Sequence, residues 1–202
     1  MIKKIGLVVL VLAIIVVGKY VYDVNINHMF KPVTEGKVYR SGVIPPDELP
    51  DYIAKNNIKS VIDLRFPGTD NLVDNPEVPD ELRAEKDAIA KLEGVTYFNI
   101  GSDQVPEQEV VDRFLEVMDD STNYPVLIHC YHGEGRAVLF SSIYRMEYED
   151  MPNEEARKNS RFLVKWGNFD NGTRKGEYIK NYETRKSKKA NEKNNTQPLD
   201  SI

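Results

Sequence analysis

The chain has 202 residues, 41% hydrophobic and 29% charged, with a formal net charge of -5 and a single cysteine. One cysteine excludes an intramolecular disulfide framework and a cysteine-rich zinc site. Both ends are mildly basic, but residues 25–180 hold 19 basic and 28 acidic side chains, an acidic core without the footprint of a nucleic-acid binder.

The first segment reads MIKKIGLVVLVLAIIVVGKYVYD. Lys3 and Lys4 precede an uninterrupted apolar run, Ile5 to Gly18, which is too hydrophobic all round for an amphipathic surface helix. A single membrane-spanning anchor over residues 1–24 is expected. The span reaches Tyr22 if Lys19 snorkels, and Tyr20 and Tyr22 then sit at the interface. Lys3 and Lys4 favour a cytoplasmic N-terminus and so an extracytoplasmic domain. An exported protein with a cleaved signal peptide is the alternative, although no A-x-A-like site follows the run. A buried core helix is a third reading.

Residues 30–184 read as one domain with one core, since roughly 150 residues hardly suffice for two. Val38 to Ser41 suits a strand. Pro45 to Asn57 suits a helix, with Leu49, Tyr52 and Ile53 on one face. Ser60 to Leu64 is a strand, and Phe66 to Val78 a loop marked by Pro67-Gly68 and Asn75-Pro76. Pro79 to Leu92 is helical, Thr96 to Ile100 a strand, and Pro106 to Met118 a helix with apolar residues at helical spacing. Val126-Leu127-Ile128 is a continuous apolar run, like a strand buried on both faces. Arg136 to Glu149 reads as a buried helix, followed by helices over Asn153 to Trp166 and Arg174 to Lys186. This alternation predicts an α/β fold with a central, mostly parallel sheet flanked by helices. The polar segment 185–202 is expected to be a disordered tail, because it holds too little apolar surface to offset its ordering entropy.

The lone cysteine lies in 129-HCYHGEGRA-137, between the buried strand and the buried helix. Ligands of such sheets bind beyond the carboxyl ends of the strands. A glycine-containing turn that leads into a helix N-terminus makes an anion cradle from free N–H groups and the helix dipole. Gly133 and Gly135 let the backbone curl, and Arg136 adds a planar fork suited to two phosphate oxygens. Cys130 at the bottom of this positive bowl is expected to be a thiolate nucleophile. The loop 129–136 (His129, Cys130, Tyr131, His132, Gly133, Glu134, Gly135 and Arg136) is therefore the candidate phosphate-binding loop.

His129-Cys130, Gly133 and Arg136 match HCxxGxxR, so the chain resembles the cysteine-dependent protein phosphatases. Its surroundings resemble the small dual-specificity-like branch found in bacteria, plants and fungi. The pieces 39-YRSG-42 and 62-IDLR-65 stand in that branch's order, and the likeness covers roughly residues 37–166. The resemblance implies a protein-tyrosine-phosphatase-like fold and hydrolysis of phosphate monoesters through a phosphocysteine, with no metal or other cofactor. It makes Cys130 the nucleophile, Arg136 the phosphate clamp and His129 the residue that orients the loop. It also implies a general-acid Asp on a loop upstream of the cysteine. Asp103 in 100-IGSDQVPEQ-108 is the candidate, with Asp70 and Asp74 in reserve, although Asp103 also suits a turn or helix entry. Asp63 and Arg65 read as a structural pair. One departure is Ala137, where many members carry Ser or Thr; this slows hydrolysis of the phosphocysteine.

Glu134 at the rim disfavours a highly anionic substrate, which His132 offsets when protonated. The expected partner is a phosphorylated protein, phosphotyrosine ahead of phosphoserine or phosphothreonine, acted on by a monomer. An inositol phosphate or another small phosphate ester is the alternative substrate. Two rival functions remain. A rhodanese-like sulfurtransferase usually has a loop one residue shorter. A non-catalytic phosphate-binding module would not need both the Cys and the Arg.

Overall fold

The computed structural model describes residues 2–66, 73, 78–160 and 168–195. Five strands form one sheet: β1 (Lys31–Thr34), β2 (Val38–Ser41), β3 (Ser60–Asp63), β4 (Thr96–Asn99) and β5 (Val126–His129). Their order is β1-β2-β5-β3-β4. The pairs β2–β5, β5–β3 and β3–β4 are parallel, and β1 is an antiparallel edge strand. β1 has no counterpart in the sequence reading. Its Pro32 cannot donate to a ladder, which an edge position tolerates.

The helices are α1 (Ile2–Asn25), α2 (Leu49–Asn56), α3 (Pro79–Ile89), α4 (Gln108–Asp119), α5 (Arg136–Tyr148), α6 (Asn153–Asn159), α7 (Arg174–Asn181) and α8 (Arg185–Asn195). The architecture is the expected α/β fold with a mostly parallel sheet and flanking helices. Two compact units divide the chain, residues 1–137 and 138–202. The division lies inside the expected 30–184 domain, within the first turn of α5.

In the first unit the parallel register explains the core. Tyr39, Leu127 and Val61 lie side by side across β2, β5 and β3. They pack with Leu49 and Ile53 of α2 and Ile89 of α3. Strand side chains alternate between faces, so Val126, Ile128 and Ile62, also fully buried, line the other face. α4 buries Val111, Phe114, Leu115 and Met118 as one stripe.

α1 contains one stretch, Ile5–Asn25, long and apolar enough to cross a membrane, with mean hydropathy 2.5 and its apolar residues exposed. Those are the properties of a membrane anchor and of a signal sequence alike. Lys19 extends to Asp23, 2.9 Å away, and Lys31 approaches the same carboxylate at 3.4 Å. The ammonium thus points toward the polar end of the helix, as snorkelling requires.

In the second unit, Asn153 of α6 donates its amide to the carbonyls of Ile179, Lys180 and Tyr182, so it closes the C-terminal end of α7. The expected helix over 174–186 therefore stops at Asn181 and restarts at Arg185. The expected disordered tail is corrected for residues 185–195, which form α8. Thr184 accepts from Ser187 N at its start, and Glu147 of α5 accepts from Arg185 N and Nε. Composition measures apolar burial alone and is blind to such specific polar anchoring. Residues 196–202 and Trp166 lie outside the described residues.

Candidate active site

Parallel pairing aligns the carboxyl ends of β2, β5 and β3, setting Ser41, His129 and Asp63 in register. The candidate loop starts there. Cys130 follows directly from β5 and is 3% exposed. Arg136, 2% exposed, opens α5. Between them Tyr131 and Gly135 are half-buried, and His132 and Glu134 are exposed. The His132 ring stands edge-on to Tyr131 at 4.8 Å between centroids.

The loop is held from the β2 side. Val43 N donates to Tyr131 O (2.9 Å), and Arg40 Nη1 donates to Gly133 O (2.6 Å). Gly133 has φ +72°, and a Cβ there would lie 2.5 Å from Gly42 N and 2.7 Å from Ser41 C. Only glycine combines that dihedral with that closeness. The reverse approach is nearly as tight: a Cβ on Gly42 would lie 3.0 Å from Tyr131 O. The glycines of YRSG and of the loop thus face each other.

Arg136 is held from the β3 side. Its Nη1 donates to Leu64 O (3.0 Å) and Ser102 O (3.3 Å). Leu64 N in turn donates to His129 O, 2.9 Å. Ser102 is buried and immediately precedes Asp103, which is exposed. The structure thereby brings the residue before Asp103 to the Arg136 guanidinium. Asp70 and Asp74 lie outside the described residues.

Behind the loop is a buried ionic cluster. Arg65, fully buried, donates through Nε and Nη2 to Asp63 and through the same Nη2 to Glu85 Oε2 at 2.6 Å. His129 Nε2 lies 2.8 Å from Glu85 Oε1, a close ion pair rather than an aligned hydrogen bond. Tyr97 OH donates to Asp63 Oδ2 (2.7 Å). Asp63, Glu85 and His129 have the spacing of a metal-ligand set, but the cation between the two carboxylates is the Arg65 guanidinium. Burial alone would push His129 down, yet Glu85 and then Asp63 override it and hold its pKa above the ordinary imidazole value. Burial likewise raises Asp63, but His129 and Arg65 outweigh that and lower it. The cluster is thus two cations against two anions, which is how buried charge is tolerated.

Asp63 and Arg65 are paired as expected. Glu85 was missed, although a signal existed: it shares one helix stripe with Leu82 and Ile89, where a solvated acid does not belong. In the sequence Arg40 stands out only as part of the YRSG motif. Leu64 and Ser102 act through backbone carbonyls, which no side-chain pattern announces.

Chemically, the arrangement offers one buried thiol at the end of a parallel strand, a glycine-locked turn, and a guanidinium at the following helix start. Such an arrangement could hold an anion over the thiol.

The family model described as DSP-PTPase phosphatase fused to NAD+ kinase matches residues 19–195. Among solved structures, the core catalytic domain of the PP-IP phosphatase SIW14 from S. cerevisiae superposes with a TM-score of 0.55 at 20% identity, covering 84% of this chain and 94% of that one. TpbA from P. aeruginosa gives 0.52 at 17% identity, covering 73% and 81%. At such identities the likeness is one of fold. The sequence matches no curated protein.

Proposed function

The chain belongs to the family of DSP-PTPase phosphatases fused to NAD+ kinase, and on that premise we propose that it hydrolyses phosphoproteins through a phosphocysteine on Cys130. That it is a phosphatase of the dual-specificity-like type follows from the family; the substrate and the residue roles are our reading. The observation that carries it is Cys130 at the end of β5, under a turn clamped between Gly42 and Gly133, with Arg136 fastened at its far end.

In the first step the Cys130 thiolate attacks phosphorus in line while Arg136 and the loop N–H groups take the equatorial oxygens. The P–O bond to the leaving group breaks, and Asp103 gives that oxygen its proton. In the second step Asp103 takes a proton from water, which attacks phosphorus and releases phosphate and the thiolate. His129, ion-paired to Glu85, holds the entry to the loop. Ala137 offers no hydroxyl to the departing sulfur, so the second step is the slower one.

Glu134 is exposed at the rim and weighs against polyanionic inositol phosphates by like-charge repulsion. Phosphotyrosine is favoured over phosphoserine and phosphothreonine. α1 anchors the protein, as a monomer, with its catalytic domain extracytoplasmic; its fully exposed apolar surface supports a lipid partner. The test is phosphate release from phosphotyrosine, phosphothreonine and inositol phosphate by the detergent-solubilised full chain. Turnover that Cys130→Ser abolishes is expected. Turnover that survives Cys130→Ser would sink the mechanism, and thiocyanate formation from thiosulfate would favour sulfur transfer.

A further inference from the structure

A groove of about 590 Å³ opens beside the loop. Val43, Pro45, Pro46, Ala84 and Tyr131 supply its apolar lining. Tyr131 directly follows Cys130, and its carbonyl is bonded to Val43 N, so the groove begins one residue from the proposed nucleophile. The groove is also lined by three carboxylates of α3, Asp80, Glu81 and Glu85. These three carboxylates are not equivalent. Glu85 is buried, and Arg65 and His129 balance its charge. Asp80 and Glu81 are exposed in the first turn of the helix. Asp80 has only a solvated pairing with Arg83 at 3.5 Å, which is too weak to neutralise it.

A helix start tolerates acids for its own reasons. Here, however, the acids face an apolar trough that leads to the site of reaction. An amphipathic cation fits this combination: an apolar stem along the prolines and Tyr131, and a charged head at the carboxylates. We propose that the groove receives an Arg or Lys side chain of the substrate protein that flanks the phosphorylated residue. The groove is then a specificity site favouring phosphoproteins with a basic neighbour and rejecting polyanionic small esters. This rests on the phosphoprotein reading above.

The test uses the full chain in detergent with phosphotyrosine peptides that differ only by Lys or Glu at one flanking position, moved along both sides. Para-nitrophenyl phosphate is assayed in parallel. At one flank, Lys should exceed Glu in kcat/KM by about fivefold to tenfold, the scale of two partly screened charges. The preference should shrink at about 0.5 M salt, where the Debye length falls to about 4 Å. The double variant D80K/E81K should invert it. Rates within twofold for Lys and Glu at every position, or a preference unchanged in D80K/E81K, would overturn the inference. Hydrolysis of the aryl phosphate and inositol phosphate but of no peptide overturns it and leaves phosphatase activity standing. Absence of turnover on every substrate removes the functional reading and this inference together.

Discussion

Replacing Gly133 by alanine places a methyl group against backbone that cannot rotate away. The new Cβ would lie 2.5 Å from Gly42 N and 2.7 Å from Ser41 C. Ordinary contacts lie near 3.5 Å, so the loop or the end of β2 must move by about 1 Å. The left-handed φ adds about 1–2 kcal/mol, and forced repacking about 1–3 kcal/mol. The expected loss of stability is therefore about 2–5 kcal/mol, or roughly 5–15 °C in thermal midpoint for a protein of this size. The catalytic effect is separable. The displaced loop carries the Gly133 carbonyl that Arg40 holds at 2.6 Å and the Tyr131 carbonyl that Val43 holds at 2.9 Å. A shift of about 1 Å in a positioned group costs on the order of 100-fold in rate. Thermal melting and kcat on para-nitrophenyl phosphate, measured well below the midpoint, read the two effects. A Gly133→Ala protein that melts within about 2 °C of wild type and turns over within about threefold would refute the claim that this contact sets the loop.

Three further outcomes follow from the same geometry. His129 is raised in the folded state, so its contribution to stability is full below the ordinary imidazole pKa and is lost as pH rises through the folded value. Asp63 is lowered, so its contribution is present above the usual carboxylate range and is lost as pH falls through its folded value. Glu85→Gln removes the ion-pair partner of His129 and so lowers its folded value, and the alkaline fall in urea-unfolding free energy should be smaller and end at lower pH than in wild type; parallel curves would refute the cluster's role. Asp103→Asn should slow aryl phosphates with poor leaving groups by about 100-fold or more while sparing good ones, and an equal loss across the series would exclude Asp103 as the acid. The full chain should stay with membranes through alkaline carbonate washing, and its release into the supernatant would remove the anchor.

Much of the site could be read from local sequence because its parts are consecutive. A buried run, a cysteine, a glycine turn and an arginine at a helix start are neighbours in the chain, and hydrophobic periodicity places each on its element. The same periodicity located β3, α3, β4 and α4 to within a few residues. It failed where order depends on specific polar contacts. α8 holds no apolar residue larger than Ala190, yet Glu147 and Thr184 anchor its first turn. β1 is a short edge strand with a proline, and only its ladder to β2 defines it.

The sequence by itself determined the nucleophile candidate, the clamp candidate, the family and the apolar helix, because each is encoded by residues within one element or its flanking turn. Only the tertiary structure decided what holds them. Ser41-Gly42 came to rest against Gly133, Leu64 O and Ser102 O against Arg136, and Glu85 against both His129 and Arg65. Those partners, together with Arg40 and Gly133, are separated in sequence by 20 to 93 residues, the widest being Arg40 to Gly133. A local pattern carries no information about which distant backbone atom or buried charge will close such a gap. The parallel register does, by aligning the carboxyl ends of three strands at one point.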